Sequence, residues 1–193
     1  MLFKGLAAVG AALCVCLFAS WAQAGVIDEV SVGGFSHDFV NITDGVESNL
    51  TDVQLEVDTG RPQILRFLGA PRLNAYATFN GARHSDVYGG GLVWDHQAFW
   101  RQLYVTLDFG LAYTDGVIKP PPGATADNYD HYPRLLLGSN LLFRTAPGLE
   151  WHFDNGWVVG GQLIHLSNAG LLGNHHYNRG INDIGLRLGY RFK

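Results

Sequence analysis

His165 and Ser167 are the residues whose type and spacing most directly suggest chemistry. A serine hydroxyl becomes a nucleophile when an imidazole takes its proton. On a β-strand, residues i and i+2 leave the same face, about 7 Å apart at the backbone for a rise of about 3.3 Å per residue. A histidine ring can lean across part of that gap. Asn168, Ala169 and Gly170 follow directly, offering a side-chain amide and main-chain N–H groups to a developing oxyanion. A His and a Ser two apart arise by chance in many sequences, so the pair gains meaning only from the element that carries it.

That element alternates. Trp157, Val159, Gly161 and Leu163 share parity with His165 and Ser167, opposite Gly160 and Gln162. The last strand does the same: Ile184, Leu186, Leu188, Tyr190 and Phe192 oppose Gly185, Arg187, Gly189 and Arg191. Leu103, Val105, Leu107, Phe109 and Leu111 alternate with Tyr104, Thr106, Asp108, Gly110 and Ala112. Leu141, Phe143, Leu149, Trp151 and Phe153 oppose Asn140, Arg144, Glu150 and His152. A period of two means strands. An apolar face against a charged one fits a membrane barrel, with lipid outside and a polar interior. In such a barrel His165 and Ser167 point toward hydrocarbon near a strand end, losing hydration and gaining no packing. A nucleophile at that boundary meets the acyl ester of a lipid.

Composition narrows the class. The segment before Gly25 has a positive Lys4, an apolar run from Leu6 to Ala19 and the small-residue site Ala22-Gln23-Ala24, the pattern of a secretory signal peptide cut after Ala24. Cys14 and Cys16 lie inside it, so residues 25–193 have neither a disulfide nor a thiolate metal site. A net charge of −4 argues against nucleic acid as a partner. Beyond Ala24 no apolar run is long enough for a membrane helix, and lipid offers no partner to an open sheet edge. The expected fold is therefore all-β: an eight-stranded antiparallel transmembrane β-barrel spanning 25–193, preceded by the signal peptide at 1–24.

Strands are expected near 26–37, 50–58, 72–79, 85–94, 101–113, 138–153, 157–167 and 181–192. Asn80-Gly81 and Asp154-Asn155-Gly156 mark hairpins. Long loops are expected near 38–49, 114–136 and 168–180, the second holding Pro120, Pro121, Pro122 and Pro133. Residues 59–71, with Pro62 and Pro71, fit no element. Asp108, Arg144, Glu150, Arg187 and Arg191 should meet inside a narrow lumen, where each charge needs a partner. Trp94, Trp100, Trp151 and Trp157 fall at strand ends on one rim, joined by Tyr190 and Phe192, as in an interfacial girdle. An even strand count puts both termini in the periplasm, with short turns there and longer loops outside.

The string His165-Leu166-Ser167-Asn168-Ala169-Gly170 on the penultimate strand, followed by Asn178-Arg179-Gly180-Ile181-Asn182 and a strand ending Gly189-Tyr190-Arg191-Phe192, resembles the lipid A 3-O-deacylase family. Looser similarity includes Leu137-Gly138-Ser139-Asn140-Leu141-Leu142-Phe143-Arg144. The resemblance implies a bacterial outer-membrane esterase, its site facing the outer leaflet, that removes the 3-linked hydroxyacyl chain of lipid A without metal or organic cofactor. It implies Ser167 as nucleophile, His165 as general base, Asn168 and Gly170 at the oxyanion and Asn178 as support. Lipid A or lipopolysaccharide is the implied substrate, the outer membrane the implied partner, and a homodimer is allowed.

The family has an acidic residue two positions after the glycine that is Gly180 here, whereas this chain has Asn182 and then Asp183. Asn182 shares parity with Ile184 and Leu186, the outward face. Its carbonyl can accept the imidazole N–H and set the tautomer, but it carries no charge for the imidazolium. Asn182 is the expected third member, Asp183 the weaker alternative. The stretch Leu171 to Tyr177 also departs from the family's proline-containing one.

Other residues have plainer readings. His175-His176 sits in a polar loop without Cys or acidic partners at metal spacing. His37, His84, His96 and His131 fall at strand ends or in loops, and His152 on the inward face. Gly89-Gly90-Gly91 suggests a bend or close packing within a strand. Two rivals to the esterase remain: a catalytically silent barrel with a structural or lipopolysaccharide-binding role, and a small porin or adhesin. The porin is disfavoured because eight strands leave a lumen filled by side chains.

Overall fold

Eight segments with two-residue alternation become eight strands: β1 (Ile27–Ser36), β2 (Thr51–Thr59), β3 (Arg72–Asn80), β4 (Val87–Gln97), β5 (Leu103–Thr114), β6 (Leu141–His152), β7 (Trp157–Ser167) and β8 (Ile181–Arg191). The structure is a computed structural model and describes residues 27–39, 47, 51–123, 132 and 134–192. The expected signal peptide, most of the 38–49 loop, part of the 114–136 loop and His131 lie outside the described residues. Each strand pairs antiparallel with the next, and β1 pairs with β8, closing the barrel. Among the described strands no edge is left open, as a hydrocarbon surrounding requires.

Parity sorts the side chains as expected. Leu107, Phe109, Leu111, Leu149, Val159, Leu163, Leu186 and Leu188 are exposed on the outer wall. Glu29, Glu56, Arg72, Asp108, Arg144, Glu150 and Arg187 are buried inside. Arg187 reaches Glu56 at 3.1 Å and Glu29 at 3.3 Å, and Arg72 reaches Asp58 at 2.8 Å and Glu29 at 3.2 Å. Arg144 pairs with Asp108 and stands 4.2 Å from the centroid of the Tyr76 ring. Such charges hold their places because removing one partner strands another without water, at a cost of about 3–5 kcal/mol. Among the described residues the lumen is filled by paired charges.

One end of the barrel carries the start of β1 and the end of β8, and the aromatic rim is there. Trp157 packs edge-on against Tyr190 at 5.5 Å, and Tyr190 against Phe192 at 5.4 Å. At this end residues 60–71, unassigned from sequence, form a 3₁₀ turn at Gln63–Leu68, stopped by Gly69 at φ +86°. Its carbonyl at Leu68 accepts the indole N–H of Trp94 at 2.8 Å. This connection is longer than expected for that rim, and the β3–β4 turn opposite is short. Pro62 and Pro71 bracket the turn and exclude hairpin pairing there.

Toward the far end, leucines fill the lumen among the described residues. Leu135, Leu136 and Leu137 are fully buried, and Leu135 and Leu137 pack with Phe35, Val87, Leu142, Ile164, Leu166 and Ile181. Sequence alternation placed residues 138–140 in β6, but the strand starts at Leu141, because Gly138 turns at φ +70° to bring the leucines inward. The glycine run of β4 is close packing, as expected: a Cβ at Gly91 would fall 2.4 Å from the Phe109 carbonyl.

Candidate active site

β7 delivers His165 and Ser167 to the outer wall. His165 is exposed and Ser167 half-buried, while Ile164, Leu166 and Asn168 between and beside them are buried. The far-end position follows from register: Ser167 is the last residue of β7, opposite Phe143 of β6, and His165 lies opposite Thr145 on one side and Asn182 on the other. The β7–β8 register brings the imidazole onto its partner, with His165 Nδ1 2.8 Å from Asn182 Oδ1. Nδ1 is thereby the protonated nitrogen, and Nε2 is left with its lone pair, the form a general base needs.

Gly180 lies under the pair. A Cβ there would stand 3.5 Å from His165 Cε1 and 3.7 Å from Ser167 Cβ, and only 2.8 Å from the Leu166 carbonyl. The residue also has φ +72°, which favours glycine. His165 and Ser167 therefore flank one small space that a side chain at 180 would occupy.

The loop after Ser167 is built differently from the expectation. Asn168 is fully buried; its Nδ2 donates to the carbonyls of Leu137 at 2.9 Å and Asn174 at 3.3 Å, and its Oδ1 accepts from Gly170 N at 2.7 Å. Its side chain is a brace, and neither it nor the Gly170 N–H is free for an oxyanion. Asn178 Oδ1 accepts the Asn168 N–H at 2.9 Å, and Asn178 itself is exposed. Gly138 locks the same junction, since a Cβ there would lie 2.3 Å from the Asn174 carbonyl. Asp183, the alternative third member, is corrected outright. It is buried on the inward face, 3.4 Å from His37 Nδ1, because odd positions of β8 point into the lumen.

Sequence reasoning missed the luminal cluster behind the site. His37 is fully buried, with Nδ1 2.8 Å from Asp52 Oδ2 and Nε2 3.5 Å from Glu47 Oε2. Burial works against its charge, but the hydrogen bonds to Asp52 and Glu47 and the nearby Asp183 raise its pKa to about 10. The ligand atoms of His37, Asp52 and Asp183 lie within 4.8 Å of one another, close enough for a cation, and a protonated imidazole meets the same charges. These residues come from chain positions far apart, and no local spacing signals them.

Below the dyad runs an apolar groove of about 440 Å³, lined by Pro147, Leu149, Gly161, Leu163, Ile184 and Leu186 among others. Gly161 is its floor, between Leu149 of β6 and Leu186 of β8. Pro147 has no N–H to give the ladder, and the β6–β7 pairing skips from Thr145↔His165 to Gly148↔Gln162. The missing side chain and the interrupted ladder together leave the hollow.

The family model described as lipid A 3-O-deacylase (PagL) matches residues 53–191. The crystal structure of the outer membrane enzyme PagL aligns with a TM-score of 0.59 and 19% sequence identity, covering 85% of this chain and 99% of that one. The N-terminal β-barrel domain of Pseudomonas aeruginosa OprF aligns with a TM-score of 0.50 and 11% identity, over 86% of this chain and 98% of that one. No curated protein matches in sequence. At these identities the structural likenesses bear on fold alone.

Proposed function

The chain belongs to the lipid A 3-O-deacylase family of outer-membrane enzymes, and on that footing we propose that it hydrolyses the 3-O-linked hydroxyacyl ester of lipid A with Ser167 and His165. The observation that carries this reading is the His165–Asn182 hydrogen bond on the lipid-facing wall, with Ser167 beside it. His165 Nε2 takes the Ser167 proton as Oγ attacks the acyl carbonyl. The tetrahedral oxyanion is met by the Asn178 amide nitrogen and the Ala169 N–H. Collapse returns the proton through His165 to the departing sugar oxygen, leaving acyl-Ser167. Water, deprotonated by the same imidazole, then releases the fatty acid. The groove under the dyad receives the acyl chain.

A signal peptide cut after Ala24 and an even strand count would leave the start of β1 and the end of β8 on the periplasmic side, and on this reading the far-end site faces the outer leaflet. The neutral Asn182 favours one rival, a silent barrel that binds lipopolysaccharide without cleaving it. Expression in a bacterium lacking such an enzyme, followed by mass spectrometry of its lipid A, tests the proposal. Loss of one hydroxyacyl chain, abolished by Ser167→Ala in a barrel that remains heat-modifiable on gels, supports the esterase. Unaltered lipid A from a folded barrel supports the silent one.

A further inference from the structure

Asn182 has two ends, and only one can serve His165. The oxygen accepts the Nδ1 proton; the amide nitrogen, turned to the ring, would offer a second donor and the wrong tautomer. Something must hold the orientation. On β8, Asn182 is flanked by the turn that follows β1. The Phe39 N–H donates to the Asn182 carbonyl at 2.9 Å, and the Asp38 N–H donates to Asp183 Oδ1 at 3.0 Å. These two bonds fix Asp38 against the strand, in a left-handed conformation with φ +43°. Asp38 is 1% exposed, and its Oδ2 has no hydrogen-bond partner among the described residues. A carboxylate buried this deeply needs donors around it. Burial raises the Asp38 pKa above its usual value, and its surroundings work against that shift: the side-chain amide and main-chain N–H of Asn182 stand beside the carboxyl and lower it.

We propose that Asp38 is a positioning residue for the dyad, holding the Asn182 amide nitrogen so that its oxygen faces His165, and supplying from one residue away the negative charge that Asn182 lacks. The inference rests on the esterase reading above. The order is Ser167, His165, Asn182, Asp38: a carboxylate polarises the amide, and the amide oxygen becomes a better acceptor for the imidazolium N–H. Burial opposes the charge on Asp38 and raises its pKa, while Asn182 and His37 lower it and Glu47 raises it. His37 stands next in the chain, and Asp183 faces it across β8.

The test is a cycle on purified full-length enzyme with lipid A in mixed micelles, reading kcat, KM and the pH profile. Asp38→Asn keeps the shape and tolerates the left-handed backbone. It should lower kcat about tenfold with KM unchanged, and move the acidic limb of the profile to lower pH, because an imidazolium that loses an anion gives up its proton more readily. In an Asn182→Glu background, where a carboxylate meets the ring directly, Asp38→Asn should cost less than about twofold. Equal losses in both backgrounds with an unmoved acidic limb would mean a merely structural Asp38 and would overturn the proposal, as would an Asp38→Asn enzyme with full activity. If Asp38→Asn does not assemble, Asp38→Gly, suited to the same φ, takes its place with the same expectations. Ser167→Ala separates the two levels: deacylation that survives it, or is missing from the unaltered enzyme, sinks the esterase reading and this inference with it. Ser167-dependent deacylation indifferent to Asp38 sinks the inference alone.

Discussion

His165 Nδ1 lies 2.8 Å from Asn182 Oδ1, across a β7–β8 pair in direct register. The contact is a product of strand alignment, so it persists wherever the barrel closes. A neutral oxygen at this position orients the imidazole without offering it charge.

Asn182→Ala removes the orienting acceptor. The kcat should fall roughly 10²- to 10⁴-fold, since a misoriented or wrong-tautomer base is known to cost about 10⁴ in a related arrangement. Asn182→Glu should retain activity and shift the acidic limb upward: a carboxylate stabilises the imidazolium, and the free base then appears at higher pH. A pH profile of kcat/KM measures both.

Gly161→Leu fills the groove. A Cβ at Gly161 makes only ordinary contacts, at 3.7 Å to Leu186 Cδ2, so the barrel should assemble normally. Activity on long acyl chains should drop about tenfold relative to short ones, the scale set by a few methylene contacts. Competition between substrates of two chain lengths reads the ratio directly.

Gly180→Ala is expected to silence the site while sparing the wall. The new methyl meets the Leu166 carbonyl at 2.8 Å and crowds both His165 and Ser167, at a φ that L-residues resist. Heat-modifiable migration with no deacylation is the predicted pair of results. Full activity would count against a shared reaction space above this glycine.

His37 makes stability sensitive to alkali. Its pKa is raised from 6.5 to about 10 in the folded protein, so its contribution is complete below about pH 6.5 and is lost as pH climbs through 10. The melting temperature in detergent should fall by roughly 5 °C more between pH 7 and 10.5 than it does in His37→Gln. Parallel curves for the two proteins would remove His37 as the cause.

Most of the barrel was legible because strand alternation is a local property. The outward parity of His165, Ser167 and Asn182 followed from counting by twos, and so did the meeting of Asp108, Arg144, Glu150 and Arg187 in the lumen. What stayed hidden depends on closure and on loops. Asp38 reaches Asp183 across 145 residues of sequence because β1 pairs with β8. Leu135–Leu137 show no alternation, and their burial as a plug follows from the turn at Gly138. Asn168 looked like an oxyanion donor because it follows the serine; its amide is spent on the carbonyls of Leu137 and Asn174, a commitment made by a loop that pattern reading cannot fold.

The filled lumen and the outward-facing pair have a consequence for traffic. Among the described residues, ion pairs fill the lumen and leucines lie above them, while His165 and Ser167 stand on the outer wall. On the proposed function, a lipid would reach Ser167 by drifting sideways within its own leaflet, a search in two dimensions. Turnover on that function would respond to how crowded or stiff the leaflet is, rather than to any concentration in the surrounding water.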